Sequence, residues 1–365
     1  MQFDIRAIAG NFAILGDFVS ATPHGDGHIN DTYATTFNQG GTPVRYIVQR
    51  VNHAIFRDAT ALMSNVARVC RHAGGRLRAD NQPDASRRAL TLVPTRDGSD
   101  WVKDAAGNHW RCFLFIEGAA SFNVAATPSL AFHAAHTFGE FTRLLSDLPG
   151  ERLAETIPDF HHTRKRYEAF LSALETDAAG RSASVANEVR FLKDREKDCS
   201  VIVDAIKRGE IPERITHNDT KLNNILMDVQ SGRGLCVVDL DTVMPGSALY
   251  DFGDMVRSGA TSALEDETDL DAVTCRADHF KALASGFITA LKDTLNDREK
   301  ELLAFSGKLM TLEVGMRFLT DYLCGDTYFK IAHPAHNLER CRNQFALVSS
   351  IEKQLSAFEK IVARA

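Results

Sequence analysis

A chain of 365 residues, 44% hydrophobic and 25% charged, has the composition of an ordinary globular protein and exceeds the usual size of a single core, so two lobes are expected. Its net charge of -6 and lack of a basic stripe exclude a nucleic-acid binder relying on non-specific phosphate contacts, and no apolar run is long enough to cross a bilayer. The cysteines number 7, an odd count without a CxxC pair, which excludes a disulfide frame or a zinc site and points to reduced thiols in a cytoplasmic setting.

The N-terminal run MQFDIRAIAGNFAILGDF carries acidic residues and lacks a long apolar core, so neither a signal nor a transit peptide is expected. A short amphipathic helix is expected near Phe3 to Ile14. Residues 17 to 116 then alternate strand-like runs with turns. DFVSA, TYATTF and VRYIVQRV precede a helical segment, Asp58 to His72, with Ala61, Leu62, Val66, Val69 and Cys70 at helical spacing and a stop predicted at Gly74-Gly75. ALTLV, WV and NHWRCFLFI complete a sheet of about five strands. Between the first two strands, GDGHIN (25–30) is a short glycine-bearing turn; no GxxxxGK[ST] occurs, so this is not a P-loop enzyme.

Beyond Phe115-Ile116-Glu117-Gly118 the pattern turns helical, which divides the chain into a β-rich lobe, 1–117, and a helical lobe, 118–365. Thr127-Pro128 supplies a cap and a proline at the first helical position. Further helices are expected at 164–175, 184–208, 276–292, 297–323 and 337–363. His133, His136, His161 and His162 lack carboxylate or cysteine partners at ligand spacing and read as surface or core histidines.

The chemistry concentrates in residues 214–254. Two β-type runs, Ile225 to Met227 and Leu235 to Val238, flank a turn-forming segment and can pair as a hairpin. That pairing would bring His217-Asn218-Asp219 and Asn224 to Asp239 and Asp241. An acidic residue on a loop, an amide five positions on and a carboxylate ending the returning strand suit phosphoryl transfer. Asp219 would orient an attacking hydroxyl, while Asn224 and Asp239, with Asp241 as a further candidate, would hold Mg2+ on the nucleotide phosphates. Asp251-Phe252-Gly253 lies well beyond the hairpin, so Asp251 or Asp254 is expected to brace the loop.

HNDTKLNN resembles the HxDxxxxN loop of the aminoglycoside phosphotransferase and choline kinase branch of the protein-kinase-like fold. THNDTKLNNILMD, VVDLDTVMPGS, GDGHIN, SALEDE and GMRFLTDYLCGDTYF together resemble the N-acetylhexosamine 1-kinases over nearly the whole chain. The resemblance implies an α+β, two-lobed kinase-like fold, ATP as phosphoryl donor and a hexosamine acceptor. It implies that Lys221 meets the transferring phosphate, that His28 and Asn30 lie near sugar and phosphate, and that the backbone of the Phe115 to Glu117 hinge meets the adenine. It further implies that Arg317 reaches the hexose, and Asp326 and Tyr328 could complete that pocket. YIVQRV lacks the usual phosphate-pairing lysine, and Arg50 would replace it if the strand phase allows.

Partners are accordingly expected to be a small sugar and ATP, without nucleic acid or membrane, on a chain expected to be a monomer before an oligomer. Alternatives are a kinase of choline, an aminoglycoside or another small alcohol, a metal-dependent glycosyltransferase using Asp239-Leu240-Asp241 as a DxD site, and a catalytically dead kinase-like module.

Overall fold

The structure, a computed structural model, describes residues 3–25 and 29–365. Its first layer follows α1 (Ile5–Ala9) with strands β1 (Asp17–Pro23), β2 (Asp31–Gln39) and β3 (Thr42–Val51), the helices α2 (Ala59–Ala79) and α3 (Ala85–Arg88), and strands β4 (Val102–Lys103) and β5 (His109–Leu114). These strands form one antiparallel sheet in the order β1-β2-β3-β5-β4. Period-two alternation gives the sheet two different faces. Tyr46, Val48, Trp110 and Cys112 pack with Ile5, Ile8 and Phe12 on one side. On the opposite side Ile47, Gln49, Arg111 and Phe113 face a cleft.

Helix α2 starts where Asp58 accepts from the Ala61 amide at 2.9 Å, and it buries Leu62, Met63, Val66, Val69 and Cys70. It does not stop at Gly74-Gly75 as the sequence predicts. Gly74 is buried, the helix runs on to Ala79, and its end is reached only where the basic residues Arg76 and Arg78 occupy the last turn. Two glycines cost helix stability, but packing of the apolar face outweighs that cost.

After β6 (Ala119–Ala120) come α4 (Pro128–Leu144), α5 (Thr163–Thr176), α6 (Ala186–Lys193) and α7 (Val201–Lys207). The helix expected over 184–208 is thus broken, with 3-10 turns at Ser182–Val185 and Glu196–Ser200. The chain continues through β7 (Arg214–Thr216), β8 (Ile225–Asp228), β9 (Gly234–Val237) and β10 (Met244–Gly246), then α8 (Ala248–Gly259), α9 (Ala277–Leu291), α10 (Asp297–Leu323) and α11 (His336–Val362). Strands β8 and β9 form the expected antiparallel hairpin, extended by β6, while β7 pairs with β10.

The helical core is aromatic. Phe252, Phe280, Phe287 and Phe358 are each fully buried, and the rings of Phe280 and Phe358 stack with centroids 4.0 Å apart. Helices α4 and α9 approach closely because Gly286 lacks a side chain: a Cβ there would stand 2.3 Å from the Phe132 carbonyl oxygen. All seven cysteines are free and six are buried, Cys324 being exposed. Among the described residues no helix is long and apolar enough to cross a membrane.

Candidate active site

The loop after β7 is held rigidly from behind. Asp251, on the first turn of α8, accepts from the amides of His217 at 3.0 Å and Asn218 at 2.7 Å, while its own carbonyl accepts from Thr220 Oγ1 at 2.6 Å. Asp251 therefore braces the loop, the role its position beyond the hairpin suggests. Burial pushes its carboxyl up to about 6, against the pull of His217 and the two amides. Asn218 adopts the left-handed conformation at φ 63, which asparagine tolerates better than most residues, and its side-chain amide donates to the Thr242 carbonyl at 3.0 Å. Strand β10 can lie this close only because residue 246 is glycine: a Cβ there would fall 2.5 Å from Asn218 Oδ1.

His161 and Glu313 are a buried pair that the sequence reading missed. The imidazole of His161 sits 2.7 Å from Glu313 through Nδ1 and 2.8 Å from the Asn218 carbonyl through Nε2, so both ring nitrogens face acceptors. His161 is no isolated core histidine. It ties α10 to the loop after β7, and no sequence spacing signals this, since its partner lies 152 positions away.

On the exposed side of the loop, Asn224 Nδ2 donates to the Asp219 carboxylate at 3.0 Å and to its carbonyl at 2.8 Å, and Lys221 Nζ lies 3.3 Å from Asp219 Oδ1. Burial raises the Asp219 carboxyl, but Lys221, His217 and Arg257 outweigh it and hold the group below its ordinary value. Such a carboxylate accepts a hydrogen bond well and is a weak base. The hairpin returns the chain at Asp239, which takes a left-handed φ of 57 and lines the cleft beside Asn224. Burial, then Asp241 and Asp219, push the Asp239 carboxyl up to about 6.

Among the described residues no three His, Cys, Asp or Glu side chains form a ready metal cluster. The donors nevertheless suit a hard cation. Asn224 turns its nitrogen to Asp219 and leaves its oxygen available, and Asp239 is a cleft-lining carboxylate repelled by two others. A divalent cation bound by oxygen would relieve that repulsion. Asp241 is placed differently from expectation. Its Oδ2 accepts from Asn30 at 2.7 Å, and its Oδ1 lies 2.5 Å from Arg111 Nη1 at an angle too poor for a hydrogen bond. The side chains of this ion pair are each 2% exposed, so Asp241 is neutralised by protein.

Arg111 is the cation the sequence reading did not find. Thr32, Gln49 and Arg111 stand side by side across β2, β3 and β5, and Gln49 Oε1 accepts from Arg111 at 2.9 and 2.6 Å while its amide donates to Thr32 at 2.8 Å. The neighbouring row faces the other way. Arg50 donates to Asp31 at 2.6 Å and lies over the Phe3 ring, so the strand phase turns it from the cleft and the proposed Arg50–phosphate contact is corrected. Asn30 joins the two walls, since its Oδ1 accepts from the Asn52 amide at 2.9 Å and its amide reaches Asp241. His28 lies outside the described residues.

The cleft has two communicating parts. One, of about 360 Å³, is lined by Gln49, Arg111, Phe115, Ile116, Asn224 and Asp239. Phe115 lies under the Arg45 guanidinium, whereas Glu117 stands outside: its carboxylate pairs with Arg45 and its carbonyl accepts from Arg87 at 2.8 Å. The other part, of about 470 Å³, opens on Asp219, Lys221, Asn224 and Asp239 and is walled by Arg257, Glu265, Asp266, Arg340 and Gln344.

Arg317, Asp326 and Tyr328 line neither part. Arg317 is surrounded by the rings of Phe160, Tyr328 and Phe329 at 5.0 to 5.9 Å, and Asp326 is bound by Arg181 at 2.6 Å and Asn337 at 2.9 Å. The pocket expected from these three is therefore corrected. Helical spacing placed Arg317 on an apolar helix, but only packing revealed that the rings, not a cleft, receive it.

The chain is similar in fold to an aminoglycoside phosphotransferase from Alicyclobacillus acidocaldarius, with TM-score 0.60 and 12% identity over 100% of this chain and 98% of that one. It is also similar to a choline/ethanolamine kinase family protein from Mesorhizobium loti, with TM-score 0.59, 15% identity and 99% of each chain covered. A spectinomycin phosphotransferase solved with ADP and spectinomycin gives TM-score 0.54 at 11% identity, covering 92% of each. These likenesses show the kinase-like α+β fold. The family model described as "Phosphotransferase enzyme family" matches residues 20–282, which include the Asp219 loop, Asp239 and the Arg111 row. A DxD glycosyltransferase does not accord with that match, and Asp241 is in any case held by Arg111. This chain belongs to the phosphotransferase enzyme family, with aminoglycoside phosphotransferase-like and choline kinase-like neighbours.

Proposed function

We propose that this phosphotransferase moves the γ-phosphoryl group of ATP to the anomeric hydroxyl of an N-acetylhexosamine, giving the sugar 1-phosphate. The observation that carries the choice of acceptor is the lining of the larger compartment. Among the described residues it contains no aromatic side chain, and its charges nearly balance: Asp219, Asp239, Glu265 and Asp266 against Lys221, Arg257 and Arg340. A quaternary ammonium calls for aromatic faces and a polycationic drug for an acidic wall, whereas a neutral ring bearing several hydroxyls is matched by alternating donors and acceptors. The motif resemblance to the N-acetylhexosamine 1-kinases supports the same reading, and the ADP bound by the spectinomycin enzyme supports a nucleotide in the smaller compartment.

In this mechanism Asp219 accepts a hydrogen bond from the attacking hydroxyl. The oxygen attacks the γ-phosphorus, the bond to the bridging β–γ oxygen breaks, ADP leaves, and the proton passes to Asp219 and on to solvent. A hemiacetal hydroxyl is more acidic than an ordinary alcohol, so a carboxylate held below its ordinary pKa serves by orientation. Lys221 stands 3.3 Å from Asp219 and would meet the transferring phosphate in this mechanism. Mg2+, held by Asp239 and Asn224, would neutralise the phosphate oxygens. Incubation with ATP and a panel of sugars and alcohols, with phosphorus NMR of the product, tests the proposal. Coupling of the phosphate to the anomeric proton is expected, and coupling to the C6 methylene protons, or turnover of alcohols but no sugar, would overturn it.

A further inference from the structure

The far wall of the acceptor compartment contains an unmatched donor and an unmatched acceptor one helical turn apart on α11. Arg340 Nε and Gln344 Oε1 are both buried, and neither has a hydrogen-bond partner among the described residues. Gln344 is only 2% exposed, yet it lines the compartment that opens on Asp219. Buried polar atoms without partners are rare in native proteins because each forfeits its hydration.

The orientation of the Gln344 amide follows from its neighbours. Asn343 Nδ2 donates to the carbonyls of Leu264 at 3.0 Å and Glu267 at 3.1 Å, which fixes its other atom as oxygen. That Asn343 oxygen accepts from Gln344 Nε2 at 3.0 Å. The unpaired atom of Gln344 is therefore its carbonyl oxygen, an acceptor. The Arg340 side chain is anchored separately, by Nη1 on the Lys330 carbonyl at 3.2 Å and by its guanidinium over the Phe318 ring, leaving Nε–H as the idle donor.

Residues four apart share a helix face, so this donor and acceptor lie on one side of α11, and a small turn of either side chain toward the compartment would make them a two-point site. A secondary amide is its complement: the amide N–H donates to Gln344 Oε1 and the amide carbonyl accepts from Arg340 Nε. We infer that Arg340 and Gln344 recognise the acetamido group of the acceptor and set the preference for N-acetylated sugars. This rests on the sugar-kinase reading above and deepens it. It also assigns the specificity wall to α11 in place of Arg317, Asp326 and Tyr328.

The test compares kcat/KM for N-acetylglucosamine and for glucose in the wild type, Gln344→Leu and Arg340→Lys. The wild type is expected to favour the acetamido sugar by ~100-fold or more, because an unfilled polar site leaves its own groups unpaired. Each variant is expected to shrink that ratio by at least ~10-fold, with the KM for ATP as control. Arg340→Lys keeps the charge while removing Nε–H together with the Nη1 bond to the Lys330 carbonyl, and it carries the test if Gln344→Leu fails to fold. A ratio unchanged in the variants, or absent in a wild type that phosphorylates both sugars, would overturn this inference and leave the sugar-kinase reading standing. No sugar turnover at all would overturn both.

Discussion

The wall of the cleft that carries Asp219, Asn224 and Asp239 comes from a single hairpin and its flanks, whereas the opposing walls are assembled from Gln49, Arg111, Glu265, Arg340 and Gln344, scattered over most of the chain. The first wall is closed by local turn chemistry and by one buried brace, Asp251. The others exist only because β3 pairs with β5 and because α11 packs behind the 264–267 loop through Asn343. A motif therefore marks the Asp219 wall, while the make-up of the opposing walls depends on long-range packing.

The largest expected effect lies on the hairpin wall. Asp219→Asn should lower kcat by ~10²- to 10⁴-fold, the range for a positioned acid or base, with nucleotide binding nearly intact. Retention of half the wild-type kcat would remove Asp219 from the role assigned to it, and isothermal titration with the nucleotide checks the second half of the claim.

The next effect lies on the opposing wall. Arg111→Ala would leave Asp241 as a buried and uncompensated charge, and loss of one partner of such a pair typically costs ~3–5 kcal/mol. Urea unfolding should show that loss with an unchanged slope. A change below ~1 kcal/mol would mean that water reaches Asp241 and that the pair does not join the walls.

A smaller effect is expected behind the loop. Asp251→Asn presents an amino group to one of two buried amides that need an acceptor, at a cost of ~1–3 kcal/mol. The pH dependence has a definite sign. The folded carboxyl, raised to about 6, holds its proton where the unfolded one, near 3.8, has lost it. Its contribution to stability is thus complete below pH ~4 and declines as pH rises through ~6. The gap in unfolding free energy between wild type and Asp251→Asn should therefore narrow from pH 4.5 to pH 7. A gap that widened would contradict the burial argument.

The smallest change is expected at Arg317. With its guanidinium among three rings and outside the cleft, Arg317→Ala should cost ~1 kcal/mol of cation–π stabilisation and leave the acceptor KM within about twofold. A selective tenfold rise in the acceptor KM would instead return Arg317 to the sugar site, and the comparison of the two walls would have to be redrawn.

Sequence alone determined the two-lobed α+β class, the β8–β9 hairpin, the helix started by Thr127-Pro128 and the meeting of Asp219, Asn224 and Asp239. These features depend on period, caps and turns within short stretches, where chain connectivity leaves few alternatives. Tertiary structure decided the rest. The two-residue period of β3 chose Gln49 over Arg50 for the cleft, and pairing with β5 placed Arg111 beside Asp241. Packing of α10 and α11 sent Arg317 into aromatic rings and left Gln344, on the cleft wall, with a carbonyl that has no partner among the described residues. A side chain's partner across 100 or more residues is set by which faces bury together, and no local pattern encodes that choice.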